Sequence, residues 1–120
     1  MKVGFIGVGN MGCALASRLI GKIPLTVFDK DMKRLDIWDQ EGVTVAKDLR
    51  DLAIGSEVVL TCLPTSNEVK SIVLGKNGIS SYLEPGSLIA DMTSGDPTAT
   101  REISELIIKN KLELIDAPVS

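Results

Sequence analysis

Apolar and polar positions along the chain switch repeatedly between two periods. Val3 to Ile6 is a short apolar run that gives way to glycines, as a buried strand does. Met11, Leu15 and Leu19, with Ala14 alongside, then recur at helical spacing to about residue 21, which predicts an amphipathic helix. Pro24 to Asp29 is a second strand. Asp31 to Gln40 is charged, yet Met32, Leu35 and Trp38 recur every three residues, so a surface helix with those residues turned inward is expected. Val43 to Ala46 predicts a third strand, and Asp48 to Ile54 a brief helix ending at Gly55, a residue suited to that position.

Glu57 to Leu63 is nearly continuous and β-branched, the pattern of a central strand covered on both faces; Pro64 ends it. A helix over Asn67 to Leu74, a turn at Gly75 to Gly78 and a fifth strand over Ser87 to Asp91 follow. Asp96-Pro97 is a strong helix start, with an acid to cap and a proline in the first turn. Ala99, Ile103, Leu106, Ile107 and Asn110 then share one face, and Leu112 to Ile115 is a sixth strand.

Strand and helix alternate to the end, which predicts an α/β fold. About six strands form a doubly wound parallel sheet, with helices on both faces and right-handed crossovers. The 120 residues suit one domain, 1–120, with one core of ordinary size. Hydrophobic residues make up 44% and charged residues 24%, a globular balance. Net charge is −3 and no basic stripe is visible, which argues against nucleic acid as a partner. No apolar run approaches the roughly 20 residues that span a bilayer, and the first residues turn directly into a strand without a leader pattern. Cys13 and Cys62 sit apart in apolar stretches, as core thiols in a reducing compartment do. A cytoplasmic location is expected. With no histidine and no clustered thiols, no metal site is expected.

The first chemical motif is the G-x-G-x-x-G run Gly7 to Gly12. Gly7 would make the tight turn out of the strand. Gly9, lacking a side chain, would let a pyrophosphate approach the backbone, and Gly12 would let the helix pack close to the sheet. The helix would begin near Asn10, so its free N–H groups and positive dipole end face the phosphates. Alone the pattern is often only a turn. Here it follows a strand and opens a helix, and the second strand ends in Asp29, roughly 20 residues on, where an acid reads the adenosine ribose hydroxyls. The fold expected is therefore of Rossmann type and the cofactor NAD. A 2′-phosphate would meet the like charge of Asp29, so NADP is disfavoured. Lys30 and Lys33 are read as solvated; one of Lys30, Lys33 and Arg34 could swing in and neutralise that phosphate, but they start further along the loop and helix than the acid, which is expected to win.

Three more strand ends carry unusual residues: Leu63 to Ser66, Asp91 to Pro97 and Asp116 to Ser120. Each composition also suits a plain turn. All three fall on the edge that carries the glycine loop, where open α/β sheets bind ligands.

The runs GFIGVGNMG, CLPTS, DMTSGDP and DAPVS, in order and spacing over essentially the whole chain, resemble the cofactor-binding domain of the β-hydroxyacid dehydrogenases. That family includes 3-hydroxyisobutyrate dehydrogenase and tartronate semialdehyde reductase, with 6-phosphogluconate dehydrogenase more distant. The resemblance implies that Val8, Asn10 and Met11 line the dinucleotide with the glycines. Leu63 and Pro64 would pass close to the nicotinamide, Ser94 would contact the cofactor, and Ser120 the substrate carboxylate. One position departs: Glu68 stands where the family often has Asn. The family's second, helical domain and its acid/base lysine have no counterpart here, so no catalytic residue is assigned and the chain is expected to be a part of a larger enzyme. That enzyme would move a hydride between NAD and a small 3-hydroxy acid, as a homo-oligomer. The alternatives are a non-catalytic dinucleotide-sensing module and a domain of a related NADP-dependent reductase.

Overall fold

Six runs of the chain become strands in the computed structural model, which describes residues 2–38 and 42–117. They are β1 (Lys2–Ile6), β2 (Leu25–Phe28), β3 (Val43–Val45), β4 (Ser56–Thr61), β5 (Leu88–Asp91) and β6 (Glu113–Asp116). All pair in parallel, in the order β3-β2-β1-β4-β5-β6. This is the doubly wound arrangement expected. The chain winds outward from β1 to one edge, then returns to the centre to lay β4 on the other side of β1. That reversal opens a crevice beyond the carboxyl ends of β1 and β4.

Adjacent residues of one strand point to opposite faces, and the two core clusters show it. Val3 and Phe5 of β1, with Leu25 and Val27 of β2, pack against Ala16 of helix α1 (Asn10–Ser17) and against Leu35 and Trp38. Ile6, Val59, Ile89 and Leu114 point the other way. They meet Leu52 of α2 (Leu49–Ala53), Val69 and Val73 of α3 (Ser66–Leu74), and Ile103 and Ile107 of α4 (Pro97–Ile107). Each such fully buried side chain contributes about 1.5–3 kcal/mol of transfer free energy.

The helix starts follow the local sequence. Asp48, Thr65 and Asp96 each accept a hydrogen bond from a backbone N–H of the first turn, from Asp51, Glu68 and Thr98 respectively. Pro97 holds the first helical position of α4, where its missing N–H costs nothing. Gly55 takes φ +83° beyond α2, a left-handed conformation that favours glycine.

Four expectations are corrected. The segment after Asp31 is a 3-10 helix, Met32–Trp38; its spacing of three is the period of that helix. Leu35 and Trp38 are buried, but Met32 is 74% exposed. In α1 the helix stops at Ser17, and its buried residues are Gly12 and Ala16, while Met11 and Ala14 are exposed. In α4 the buried residues are Thr100, Ile103 and Ile107, and Leu106 is 47% exposed. This helix packs mainly on α3 and β6, and Leu106 lies outside that stripe. β4 ends at Thr61, two residues before Leu63, because the chain already turns into the crevice there. No helix among the described residues is long and apolar enough to cross a membrane.

Candidate functional site

The sheet register brings the strand ends to one level. Phe28, Ile6, Thr61, Asp91 and Asp116 form a row across β2, β1, β4, β5 and β6. The next residue of four of these strands is still tied to the row. Gly7 N–H donates to Phe28 O (2.9 Å), Cys62 N–H to Ile6 O (2.9 Å), Met92 N–H to Thr61 O (2.8 Å) and Ala117 N–H to Asp91 O (2.8 Å). The segments after β1, β2, β4 and β5 border a cavity of about 460 Å³ at this edge. That volume lies in the range of small-molecule sites.

The three motif glycines are there for different reasons. Gly7 has φ +97°, and a Cβ there would overlap the Cys62 carbonyl. A Cβ on Gly12 would overlap the Gly7 carbonyl, so α1 can sit on the loop only with glycine at that position. Both are demanded by the fold. Gly9 is not. It has φ −68° and ψ −165°, a conformation open to any residue. Its nearest neighbour would be the tip of the flexible Arg34 side chain, 3.2 Å from a Cβ. The space over Gly9 lies open to the cavity, at the N-terminus of α1, where free N–H groups favour an anion.

Asp29 stands beside this loop, only 5% exposed. Its Oδ2 accepts the Val8 N–H at 3.0 Å and its Oδ1 accepts the Asp31 N–H at 2.9 Å. The guanidinium of Arg34, half exposed, lies 3.5 Å from Oδ2 and 3.6 Å from Asp31. Asp29 thus fixes the glycine loop to the end of β2. Nearby, Lys30 and Glu68 reach toward each other at 3.6 Å.

The opposite wall is held by ties between the loops after β4 and β5. Thr93 Oγ1 accepts the Leu63 N–H at 2.9 Å, and Ser66 Oγ accepts the Asp96 N–H at 2.7 Å. Gly95 leaves room for that serine, since a Cβ there would overlap its hydroxyl. Beneath them, buried Asp91 accepts the Thr61 hydroxyl (2.9 Å) and the Thr93 N–H (3.0 Å) on Oδ1. Cys62 lines the cavity next to this carboxylate. Burial first, and then the charge of Asp91, push its thiol up from the ordinary value, so it stays protonated at neutral pH and is a poor nucleophile.

Of the residues singled out in the sequence, Gly7, Gly9, Asn10, Met11, Gly12, Asp29, Leu63, Pro64 and Ser94 all border this one cavity. Val8 does not. Its side chain is buried in the α1-side core and only its N–H takes part, through Asp29. Ser120 lies outside the described residues. Lys30, expected on a solvated face, is 79% exposed yet borders the cavity. In the sequence Arg34 is weighed only as one of three cations able to reach a 2′-phosphate, and Thr93 only as part of the run Asp91 to Pro97. Arg34 reaches the site from the 3-10 helix, and Thr93 carries no signal apart from its place between two candidate residues.

The comparisons agree with this geometry. Residues 2–120 match the family described as the NAD binding domain of 6-phosphogluconate dehydrogenase. The chain belongs to this family. Within it, the relatives fall among the β-hydroxyacid dehydrogenases. A probable mitochondrial 3-hydroxyisobutyrate dehydrogenase of Dictyostelium discoideum is 37% identical, over 98% of this chain and 37% of that protein. An NAD-dependent L-serine dehydrogenase of Pseudomonas aeruginosa is 32% identical, over 99% of this chain and 40% of its own length. The solved Mycobacterium tuberculosis 3-hydroxyisobutyrate dehydrogenase with L-serine superposes at a TM-score of 0.89 and 26% identity, covering 99% of this chain and 40% of that one. The chain thus spans about two fifths of the length of these relatives. In this NAD-binding domain Gly7 and Gly12 build the turn, and Gly9 borders the cavity at the N-terminus of α1.

Proposed function

We propose that residues 1–120 are the cofactor-holding domain of an enzyme that moves a hydride between NAD and a small 3-hydroxy acid. The observation that carries this is Gly9: a glycine with no role in the fold, at a helix N-terminus, facing a cavity that Asp29 and Ser94 also border. The pyrophosphate would lie over the loop, with the adenosine ribose toward Asp29. The nicotinamide would lie toward Leu63, Pro64 and Ser94, and Ser120 would deliver a contact to the substrate carboxylate. NAD supplies the hydride chemistry, and the chain binds and orients it. Proton transfer to the substrate oxygen is assigned to the part of the enzyme that this chain does not span. The small-molecule partner, a homo-oligomeric parent enzyme and a cytoplasmic location belong to the same proposal; the unpaired Cys13 and Cys62 support a reducing compartment.

The test pairs a calorimetric NAD titration with an absorbance assay at saturating 3-hydroxyisobutyrate. Binding without NADH production is expected, since a positioned acid/base is worth about 10²–10⁴-fold and is assigned here to the part of the enzyme outside this chain. Steady turnover by the isolated chain would refute the assignment of proton transfer elsewhere. Absence of any NAD binding would refute the site itself.

A further inference from the structure

Beyond β4 the sheet stops supplying partners to the backbone. The Cys62 N–H still donates to Ile6 O at 2.9 Å. The next donor, the Leu63 N–H, lies past the ladder, and Pro64 after it has no N–H. The acceptor at that point is a side chain, Thr93 Oγ1 from the loop after β5, at 2.9 Å. Thr93 is itself fixed. Its N–H donates to Asp91 Oδ1 (3.0 Å), an oxygen that also accepts the Thr61 hydroxyl (2.9 Å). Thr61, Asp91 and Thr93 are each at most 3% exposed, so these bonds act in a low-dielectric interior, where they are stronger than in water. Pro64 restricts Leu63 to extended backbone. Leu63 and Pro64 therefore stand as a stiff pair anchored on Thr93, and all three border the cavity.

Resting on the dinucleotide reading above, which lays the nicotinamide toward Leu63, Pro64 and Ser94, we propose that Thr93 is a positioning residue for the nicotinamide ring. Its hydroxyl, set in place by Asp91, holds Leu63 and Pro64 as the wall on which the ring packs. Thr93 acts through the Leu63 backbone. A wall fixed before the cofactor arrives incurs no ordering cost when the ring packs on it, whereas a loose one does. The other half of the dinucleotide lies over the glycine loop and Asp29, which are tied to each other through the Val8 N–H. Loss of the Thr93 tie therefore loosens the hold on the ring and leaves the rest of the cofactor in place. A tie that served only the fold would weaken every ligand alike, which gives the two roles different signatures.

The experiment measures dissociation constants by calorimetry for NADH and for ADP-ribose, the same molecule without its nicotinamide. The proteins are the parent chain, Thr93→Val, Thr93→Ser and Thr61→Val, each checked by a thermal melt. In the parent NADH should bind about three- to tenfold more tightly than ADP-ribose, the scale of one good contact. Thr93→Val should cut that advantage to about twofold or less and leave ADP-ribose within about twofold of the parent. The emission of bound NADH should shift to the red as water reaches the ring. Thr93→Ser returns the hydroxyl and should restore both readouts. Thr61→Val removes another buried hydrogen bond of Asp91; it should lower the melt yet keep the NADH advantage, because the bond from Leu63 to Thr93 remains. Thr93→Ala carries the same test if the valine variant does not melt cooperatively. A Thr93→Val variant that keeps the NADH advantage overturns the proposal, as does one that weakens both ligands alike, or a parent without preference for NADH. A parent that binds neither ligand overturns the dinucleotide reading as well, and is told apart by the loss of ADP-ribose.

Discussion

Gly9→Val separates the fold from the site, because the structure assigns this glycine no part in the former. The backbone at Gly9 is extended, so a β-branched residue fits without strain. The contact a new Cβ would make is with Arg34 Nη1 at 3.2 Å, the end of a half-exposed side chain that can move aside. Gly9 is also the N-cap of α1 and offers no side-chain hydrogen bond there. Valine is a poorer cap than glycine, which costs up to about 1 kcal/mol. Binding is affected far more. The branched side chain would stand over the helix N-terminus and hold the pyrophosphate away from the loop N–H groups. Each hydrogen bond to a charged group is worth about 1.5–3 kcal/mol. Losing two of them weakens binding by about 3–6 kcal/mol, or roughly two to four orders of magnitude in Kd. The assay is an NADH fluorescence titration beside a circular-dichroism melt, with Gly12→Ala as the contrasting variant. A Cβ at Gly12 would overlap the Gly7 carbonyl, so that variant should lose stability rather than binding alone. If Gly9→Val binds NADH within about threefold of the parent, the loop is a structural turn and the cofactor lies elsewhere.

Two further outcomes are expected. Thr93→Val keeps the shape of a buried residue but leaves the Leu63 N–H without its partner. It should lower stability by about 1–2 kcal/mol, a fall of about 4–8 °C in Tm for a chain of this size; an unchanged melt would show that the tie between the two loops contributes nothing. In a Cys13→Ser background, Cys62 should be alkylated by iodoacetamide more slowly than free cysteine at pH 8, because its thiol pKa is raised by burial and by Asp91. Bound NADH should slow it further, and a thiol that reacts faster than free cysteine would contradict that environment. The raised value stabilises the fold below the ordinary thiol pKa, and that contribution is lost as pH rises through the folded one.

Much of this molecule is written in local pattern. The alternation of apolar runs fixes six strands and their parallel order of winding, since buried parallel strands need continuous apolar residues and amphipathic crossovers. Asp96-Pro97 marks the start of α4 because capping and a missing N–H are local matters. The glycine run, the acid after β2 and the polar strand ends are legible for the same reason: each depends on a residue's own backbone freedom or chemistry. Tertiary structure decides what depends on neighbours. Met11 and Leu106 share apolar spacing with buried residues, yet each lies about half exposed, because the neighbouring elements cover only part of each helix's apolar face. Val8 sits inside the motif but points into the core. The glycines look alike in sequence, and only the surrounding carbonyls separate Gly7 and Gly12, which the fold demands, from Gly9, which it does not. Along the chain Asp29 reads as a ribose-binding acid or as a capping or turn acid. Folding buries it, gives both its oxygens to backbone N–H groups and brings Arg34 against it, because a side chain's partners are set by where other segments pass and not by its own spacing.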